Sequence, residues 1–332
     1  MSGLEIEIFK EHSLVSKGIE TFLNRAVLPF TDEKLKEPYL DQFPTASKNF
    51  SICLEGLLGL TFRHPIKMLP FLKGINNWGT TYFKAQRKSL EGDCYLVYTQ
   101  TDHKIPFIKE KDVVYIYMIA QLSYVVGEVA NILPYNDMKI AVNSFIELNR
   151  IGTETYNSCP TVMPRYTDHD RFLLKIVQKI DRPLNCCPSL HIAYSILLYN
   201  IGKKVAGLPR RNPKAWESVE TTAIEMFNSV LYTKQHSLAD VAMGVEAAKM
   251  AFEKYYKGVK FDNLLHLFPK MQKDNPQIPY HEIERIHGLV DDLRTGKRDT
   301  LARIVKAYLE KNNYPLVKPE DIESGNLSRY WD

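Results

Sequence analysis

Prolines decide where this chain can be helical. Pro134, Pro160, Pro164, Pro183, Pro188, Pro209 and Pro213 punctuate its middle. A proline inside a helix loses a hydrogen bond and clashes with the preceding turn, so each marks a boundary or a kink. Between them, Leu, Ile, Met and aromatic residues recur at three- and four-residue steps, as in 51–60 (SICLEGLLGL) and 137–152 (DMKIAVNSFIELNRIG). That is the period of a helix with one buried face. The prolines therefore cut the chain into helices of about three to eight turns. The sequence holds no series of alternating strands and no repeat of about 20–50 residues. One short hairpin is expected, at 91–107 (EGDCYLVYTQTDHKIPF).

The stretch 218–258 has no proline and ends in glycine. Glu217 and Glu220 stand near its start, Lys254 and Lys257 near its end, an order that suits the dipole of a long helix. After Gly258 the texture turns polar, with QKDNPQIPY, RTGKRD and KPEDIESGN around one amphipathic helix at about 299–311. This divides the chain into a main helical domain, 1–258, and a helical C-terminal extension, 259–332, ending in a looser tail.

Composition narrows the class. A chain of 332 residues that is 45% hydrophobic and 25% charged, with net charge +4, has the make-up of a globular protein of one large domain or two modest ones. No run dense in Lys and Arg with interleaved aromatics is present, so nucleic acid is not an expected partner. Five cysteines, an odd number without regular spacing, point to reduced thiols in an intracellular protein. The first residues carry acidic groups and lack the apolar core of a secretory signal. The best candidate for a membrane span is 113–133, but Gln121, Glu128 and Asn131 interrupt it, and it reads as a buried core helix. A cytoplasmic location, compatible with peripheral membrane contact, is the expectation.

Three segments carry chemistry. In PSLH, 188–191, a proline precedes an apolar run that reads as a helix up to Gly202. The free amides of its first turn, near Ser189, Leu190 and His191, form an anion site. Ser189 adds a hydroxyl and His191 a titratable proton. In KIVQKIDRP, 175–183, Lys175 and Arg182 are seven residues apart, almost two helical turns, so one face carries both together with Lys179. Arg182 suits bidentate phosphate binding and Lys175 a point charge. In SVLYTKQHSLAD, 229–240, His236 and Asp240 are four apart. The carboxylate can fix the imidazole tautomer and leave the other nitrogen's lone pair free to attack. Lys234 and Thr233 flank the same place. Cations, helix-start amides and two histidines, one of them oriented, are the parts needed for metal-independent phosphoryl transfer.

In order, Lys-x6-Arg-Pro, Pro-Ser-x-His and Ser-x6-His-x3-Asp resemble the signature of the type 2 phosphatidic acid phosphatase superfamily. That superfamily also contains the vanadium-dependent haloperoxidases and the bacterial class A acid phosphatases. The resemblance covers 175–240, about 66 residues, and its wording is nearest the lipid phosphatases and the sphingolipid-head-group or inositol phosphotransferases. It implies an all-α helical bundle, here with extra N- and C-terminal helices, and a catalytic domain within 1–258. His236 would be the nucleophile that forms a phosphohistidine, Asp240 would orient it, and His191 would protonate the leaving group. Lys175, Arg182, Ser189 and the Leu190 amide would hold the phosphate. The family usually has glycine at the position of Leu190 and arginine at that of Val230; Lys234 is placed as the replacement for that missing charge. The implied function is a phosphatase or phosphotransferase for a phosphate or diphosphate ester, with a lipid or isoprenoid tail as the guess and no resident cofactor. Two alternatives stay open: a haloperoxidase holding vanadate in the same pocket, and a scaffold such as a prenyl-diphosphate cyclase that keeps the anion pocket for another reaction.

Other conspicuous residues have plainer readings. Cys186 and Cys187 are adjacent, not a C-x-x-C motif, and read as small apolar packing. Asp168, His169 and Asp170 are consecutive and cannot all face one ion from a regular element. Asp291 and Asp292 read as a solvated helix face.

Overall fold

The structure is a computed structural model that describes residues 60–61, 64–88, 92–166, 168–294 and 299–324. Its elements are α1 (Pro65–Lys88), β1 (Cys94–Leu96), α2 (Gln100–Lys104), α3 (Asp112–Ile132), α4 (Tyr135–Ser158), β2 (Thr161–Val162), α5 (Phe172–Ile180) and α6 (Leu190–Asn200). There follow α7 (Leu208–Arg211), α8 (Pro213–Tyr232), α9 (Leu238–Tyr255), α10 (Phe268–Asp274), α11 (Tyr280–Leu293), α12 (Leu301–Lys311), β3 (Leu316–Val317) and α13 (Pro319–Ser324). The described chain is predominantly helical, as the periodicity predicts.

Helix α6 is apolar on every side, and a helix of that kind must be wrapped by others. Every residue in it except His191 is buried. It packs against α9 and α8, and also touches α3 and α4. Helix α3, the 113–133 segment, packs along α8, and no described helix is long and apolar enough to cross a membrane. Outside this layer, α1 lies on α4, and α11 and α12 cover α9 and α4. Residues of the C-terminal extension, Ile283, Val290, Ile304 and Leu309 among them, share one continuous core with α6 and α9. The proposed 51–60 helix lies almost wholly outside the described residues, as does the C-terminal tail beyond 324.

Three expectations from sequence need correction. First, 91–107 is not a hairpin. Strand β1 pairs in parallel with β2 and antiparallel with β3, both far away in sequence. The expected second strand is instead helix α2, because Thr99 and Asp102 close a capping box around its first turn. Second, Gly202 does not stop α6. The chain continues through a π-helical turn, Ile201–Val205, and ends at Gly207, which has positive φ. Third, 218–258 is not one helix. It breaks between Tyr232 and Leu238, and that break makes the site.

The small sheet holds the approach to α6. The amide of Asn185 donates to the Thr161 carbonyl at 2.7 Å, and that of Cys187 to Thr161 Oγ1 at 3.0 Å. Residues 184–187 thus run against β2 before the chain turns into PSLH.

Candidate active site

The break in 218–258 is closed from both sides. Helix α8 ends with Lys234 in the left-handed region, at φ 54°. The Gln235 amide reaches back to the Val230 carbonyl at 2.9 Å, a Schellman-type ending. Helix α9 begins with a capping box: Ser237 accepts from the Asp240 amide, and Asp240 Oδ2 accepts from the Ser237 amide at 2.9 Å. His236 stands between these two devices. Its own amide donates to the Val230 carbonyl at 3.1 Å. His236 and Asp240 are therefore close because one sits in a turn and the other in the first turn of a helix, rather than on one helix face. Asp240 Oδ2 lies 3.4 Å from His236 Nδ1.

Helix α2 grips the same turn. Asp102 Oδ1 accepts from the Leu238 amide at 2.8 Å, and the Asp102 carbonyl accepts from Lys234 Nζ at 2.5 Å. Burial raises the Asp102 pKa, against the hydrogen bonds it receives from Thr99 and Leu238. Burial also lowers the Lys234 pKa to about 8, against the pull of Asp102. Lys234 is thus a buried strut between α8 and α2, and the structure does not bring it to the histidines.

The start of α6 docks on the start of α9. The Ser189 amide donates to the Asp240 carbonyl at 2.9 Å. Ser189 is the N-cap, with its hydroxyl accepting from the Ile192 amide at 3.4 Å, and is fully buried. Pro188 precedes the cap and lies outside the helix. The two helices can approach this closely because α9 carries Gly244 one turn after Asp240. A Cβ there would meet the Ser189 carbonyl oxygen at 2.6 Å. Leu190, where glycine is usual in the resembled family, packs its side chain against Gly152 of α4 and stays in the core.

This docking sets His191 against His236, with His191 Nδ1 3.2 Å from His236 Nε2. His236 is buried, and His191 half-buried. With a proton on His236 Nδ1 directed at the Asp240 carboxylate, His236 Nε2 would be the acceptor and His191 Nδ1 the donor. Burial, then the second imidazole, lower the His191 pKa to about 3, with Arg165 adding to the effect and Asp181 opposing it.

A second layer stands behind His191. The Tyr115 ring of α3 stacks on it with centroids 4.2 Å apart, and Tyr115 Oη donates to Asp181 Oδ2 at 2.8 Å. Tyr82 of α1 donates to the other carboxylate oxygen of Asp181. Arg165 Nη2 pairs with Asp181 Oδ2 at 3.0 Å, and Nη1 donates to the Asp181 carbonyl. Burial alone would raise the Asp181 pKa, but Arg165, then His191 and the tyrosine hydroxyls, outweigh it and hold it at about 2. Arg165 Nε is buried with no hydrogen-bond partner.

Sequence reasoning missed Arg165, Asp181, Tyr115 and Asp102. Arg165 follows Pro164 in an irregular segment, where no helical period relates it to anything else. Conversely, Lys175, Lys179 and Arg182 are exposed, and none makes an ion pair among the described residues. Helix α5 ends at Ile180, so Arg182 lies beyond it and the one-face argument fails. Leu174 buries itself, and the Arg171–Asp112 pair, with contacts of 2.6 and 2.8 Å, pins the start of α5 to α3. Those two anchors turn Lys175 outward.

Cys186 and Cys187 are fully buried, and burial first, with Asp240 second, pushes both thiols well up. They are packing, as read from sequence. Asp170 pairs with Lys109, and His169 contacts Gln178 and the Arg171 amide, so 168–170 diverges. Asp291 pairs with Lys249. A surface cleft of about 620 Å³ between α2, α10 and α11 includes neither His191 nor His236.

Compared with protein-family models, with curated proteins and with solved structures, the chain shows no match.

Proposed function

We propose that the chain transfers a phosphoryl group from a phosphate or diphosphate ester, with His236 as nucleophile. The helical body would then be of the phosphatidic acid phosphatase type. The observation that carries this reading is the line Asp240, His236 Nδ1, His236 Nε2, His191 Nδ1, with separations of 3.4 and 3.2 Å. An imidazole whose one nitrogen is fixed by a carboxylate presents its other lone pair to an electrophile. The cation of the site is Arg165, in place of Lys175, Arg182 and Lys234. Its unpartnered Nε is the donor left for an anion. Ser189 serves the site through its backbone and cap, at the start of the helix that carries His191.

In the first step His236 Nε2 attacks phosphorus, the P–N bond forms and the P–O bond to the leaving group breaks. The leaving oxygen takes a proton from His191. Water then attacks phosphorus and gives its proton to His191, now neutral, the P–N bond breaks, and phosphate leaves; an alcohol in place of water makes the reaction a transfer. An attack distance of about 3–3.5 Å fills the whole gap between the two rings, so the entering phosphoryl group must part them. His191 is neutral while the site is empty. A bound dianion favours its protonated form, which couples the acid to substrate binding.

The test is a reaction panel on purified protein in EDTA, with a generic phosphate ester, a prenyl diphosphate and a halide/peroxide assay. Phosphate release inhibited by vanadate and abolished by His236→Ala is expected. His191→Ala should slow esters with poor leaving groups more than activated ones. No release from any ester, or release indifferent to His236→Ala, sinks the reading.

A further inference from the structure

Helix α1 carries two apolar faces, and the core uses one. Met68, Phe71, Trp78 and Tyr82 pack inward, and Ala85 is buried. Ile66, Leu69, Leu72, Ile75 and Phe83 are exposed, at 66%, 64%, 49%, 47% and 41%. They are most of the exposed large hydrophobic residues among the described part of the chain. At 100° per residue, Leu69, Leu72 and Phe83 fall within about 60° of one another. Water-exposed leucines clustered in this way mark a contact surface rather than ordinary scatter.

The charge on the same helix says what the contact is. Residues 65–88 contain Lys67, Lys73, Lys84, Arg87 and Lys88 and no acidic residue. Lys67 is consumed in the fold, donating to the Ala130 and Leu133 carbonyls at the end of α3. Lys73, Lys84 and Lys88 are exposed, and none of them makes an ion pair among the described residues. An outward apolar arc beside unpaired lysines, with no carboxylate on the helix, is complementary to a surface both greasy and negative. We infer that α1 docks on an anionic lipid surface, its leucines and Phe83 at the acyl boundary and its lysines among the head groups. A protein partner would have to supply an acidic rim and an apolar centre together; a bilayer leaflet rich in anionic lipid supplies both without specific recognition.

The surface stands apart from the phosphoryl reading, although the two meet at Tyr82, whose hydroxyl reaches Asp181 behind His191. A helix seated on lipid would place the candidate site beside a leaflet.

The experiment is co-sedimentation of the full chain with phosphatidylserine-containing vesicles, and with phosphatidylcholine vesicles as the neutral control. Binding to the anionic vesicles, weakened by salt, is expected. Leu69→Glu/Leu72→Glu should lower the partition coefficient at least about tenfold, since each leucine contributes at least a factor of that order when buried. Lys73→Glu/Lys84→Glu should remove the preference for anionic vesicles. All four positions are exposed, and circular dichroism is the check that the variants fold. His236→Ala should bind as wild type does, which separates this inference from the catalytic one. Equal partition of wild type and Leu69→Glu/Leu72→Glu, absence of binding to anionic vesicles, or a dimer in solution abolished by the leucine substitutions would each overturn it.

Discussion

Replacing Gly244 by alanine tests the close approach of α6 and α9. In an ordinary helix interior this change is stabilising by about 1 kcal/mol, because glycine loses more backbone freedom on folding. Here the added Cβ would lie 2.6 Å from the Ser189 carbonyl oxygen and 3.1 Å from Ile192 Cβ. The first contact is with backbone, so no side-chain rotation relieves it. Helices α6 and α9 must part by roughly half an ångström or more, which as an overpacking strain costs about 1–3 kcal/mol. The same movement stretches the bond from the Ser189 amide to the Asp240 carbonyl, now 2.9 Å. Both groups are buried, and an unsatisfied one costs about 1–3 kcal/mol. Set against the helix gain, the net expectation is a loss of about 1–5 kcal/mol. Urea unfolding followed by far-UV circular dichroism measures it. Because α6 carries His191 and the start of α9 follows His236, phosphate release should fall as well. A Gly244→Ala protein within about 0.5 kcal/mol of wild type, the range of a neutral surface change, would refute the claim that this glycine is kept for the approach of α6.

Other outcomes follow from the same network. Arg165→Met leaves the Asp181 carboxylate buried beside two tyrosines and should cost about 3–5 kcal/mol by chemical denaturation; Tyr115→Phe keeps the stack on His191, loses one bond to a charged group, and should cost about 1.5–3 kcal/mol. The folded-state pKa of His191 is lowered to about 3 from 6.5. Its stabilising contribution is therefore complete above pH 6.5 and is lost as pH falls from there towards 3. Against Tyr115, His236, Arg165 and Asp181 as fixed neighbours, His191→Phe should flatten urea midpoints across that window, and an unchanged slope would count against the neutral imidazole. Asp181 contributes in the same sense at lower pH: its pKa is depressed to about 2, so stability present above about 4 is lost as pH falls through 2. Cys186 and Cys187 should resist a thiol reagent at neutral pH until the protein unfolds, as mass spectrometry of the native labelling products will show.

What the sequence by itself determined is local. Helical periodicity, the segmentation at prolines, the helix start in PSLH and the Ser237-to-Asp240 spacing are written in neighbouring residues, and short-range geometry is enough to read them. The pairing of His236 with Asp240 belongs here too, although the capping box that produces it went unread and the segment passed for one helix. What only the tertiary structure decided is which charged groups meet. Lys175 and Arg182 share a sequence pattern with phosphate ligands, yet Leu174 and the Arg171–Asp112 pair turn Lys175 outward, and Arg182 lies past the end of α5. Arg165, Asp181, Tyr115 and Asp102 come from four separate segments with no period linking them, and they converge because α6 is apolar on every side and its neighbours must close around it. A buried charge persists where it finds a partner, and a partner 16 or 66 residues away is chosen by packing, which no local pattern in the chain records.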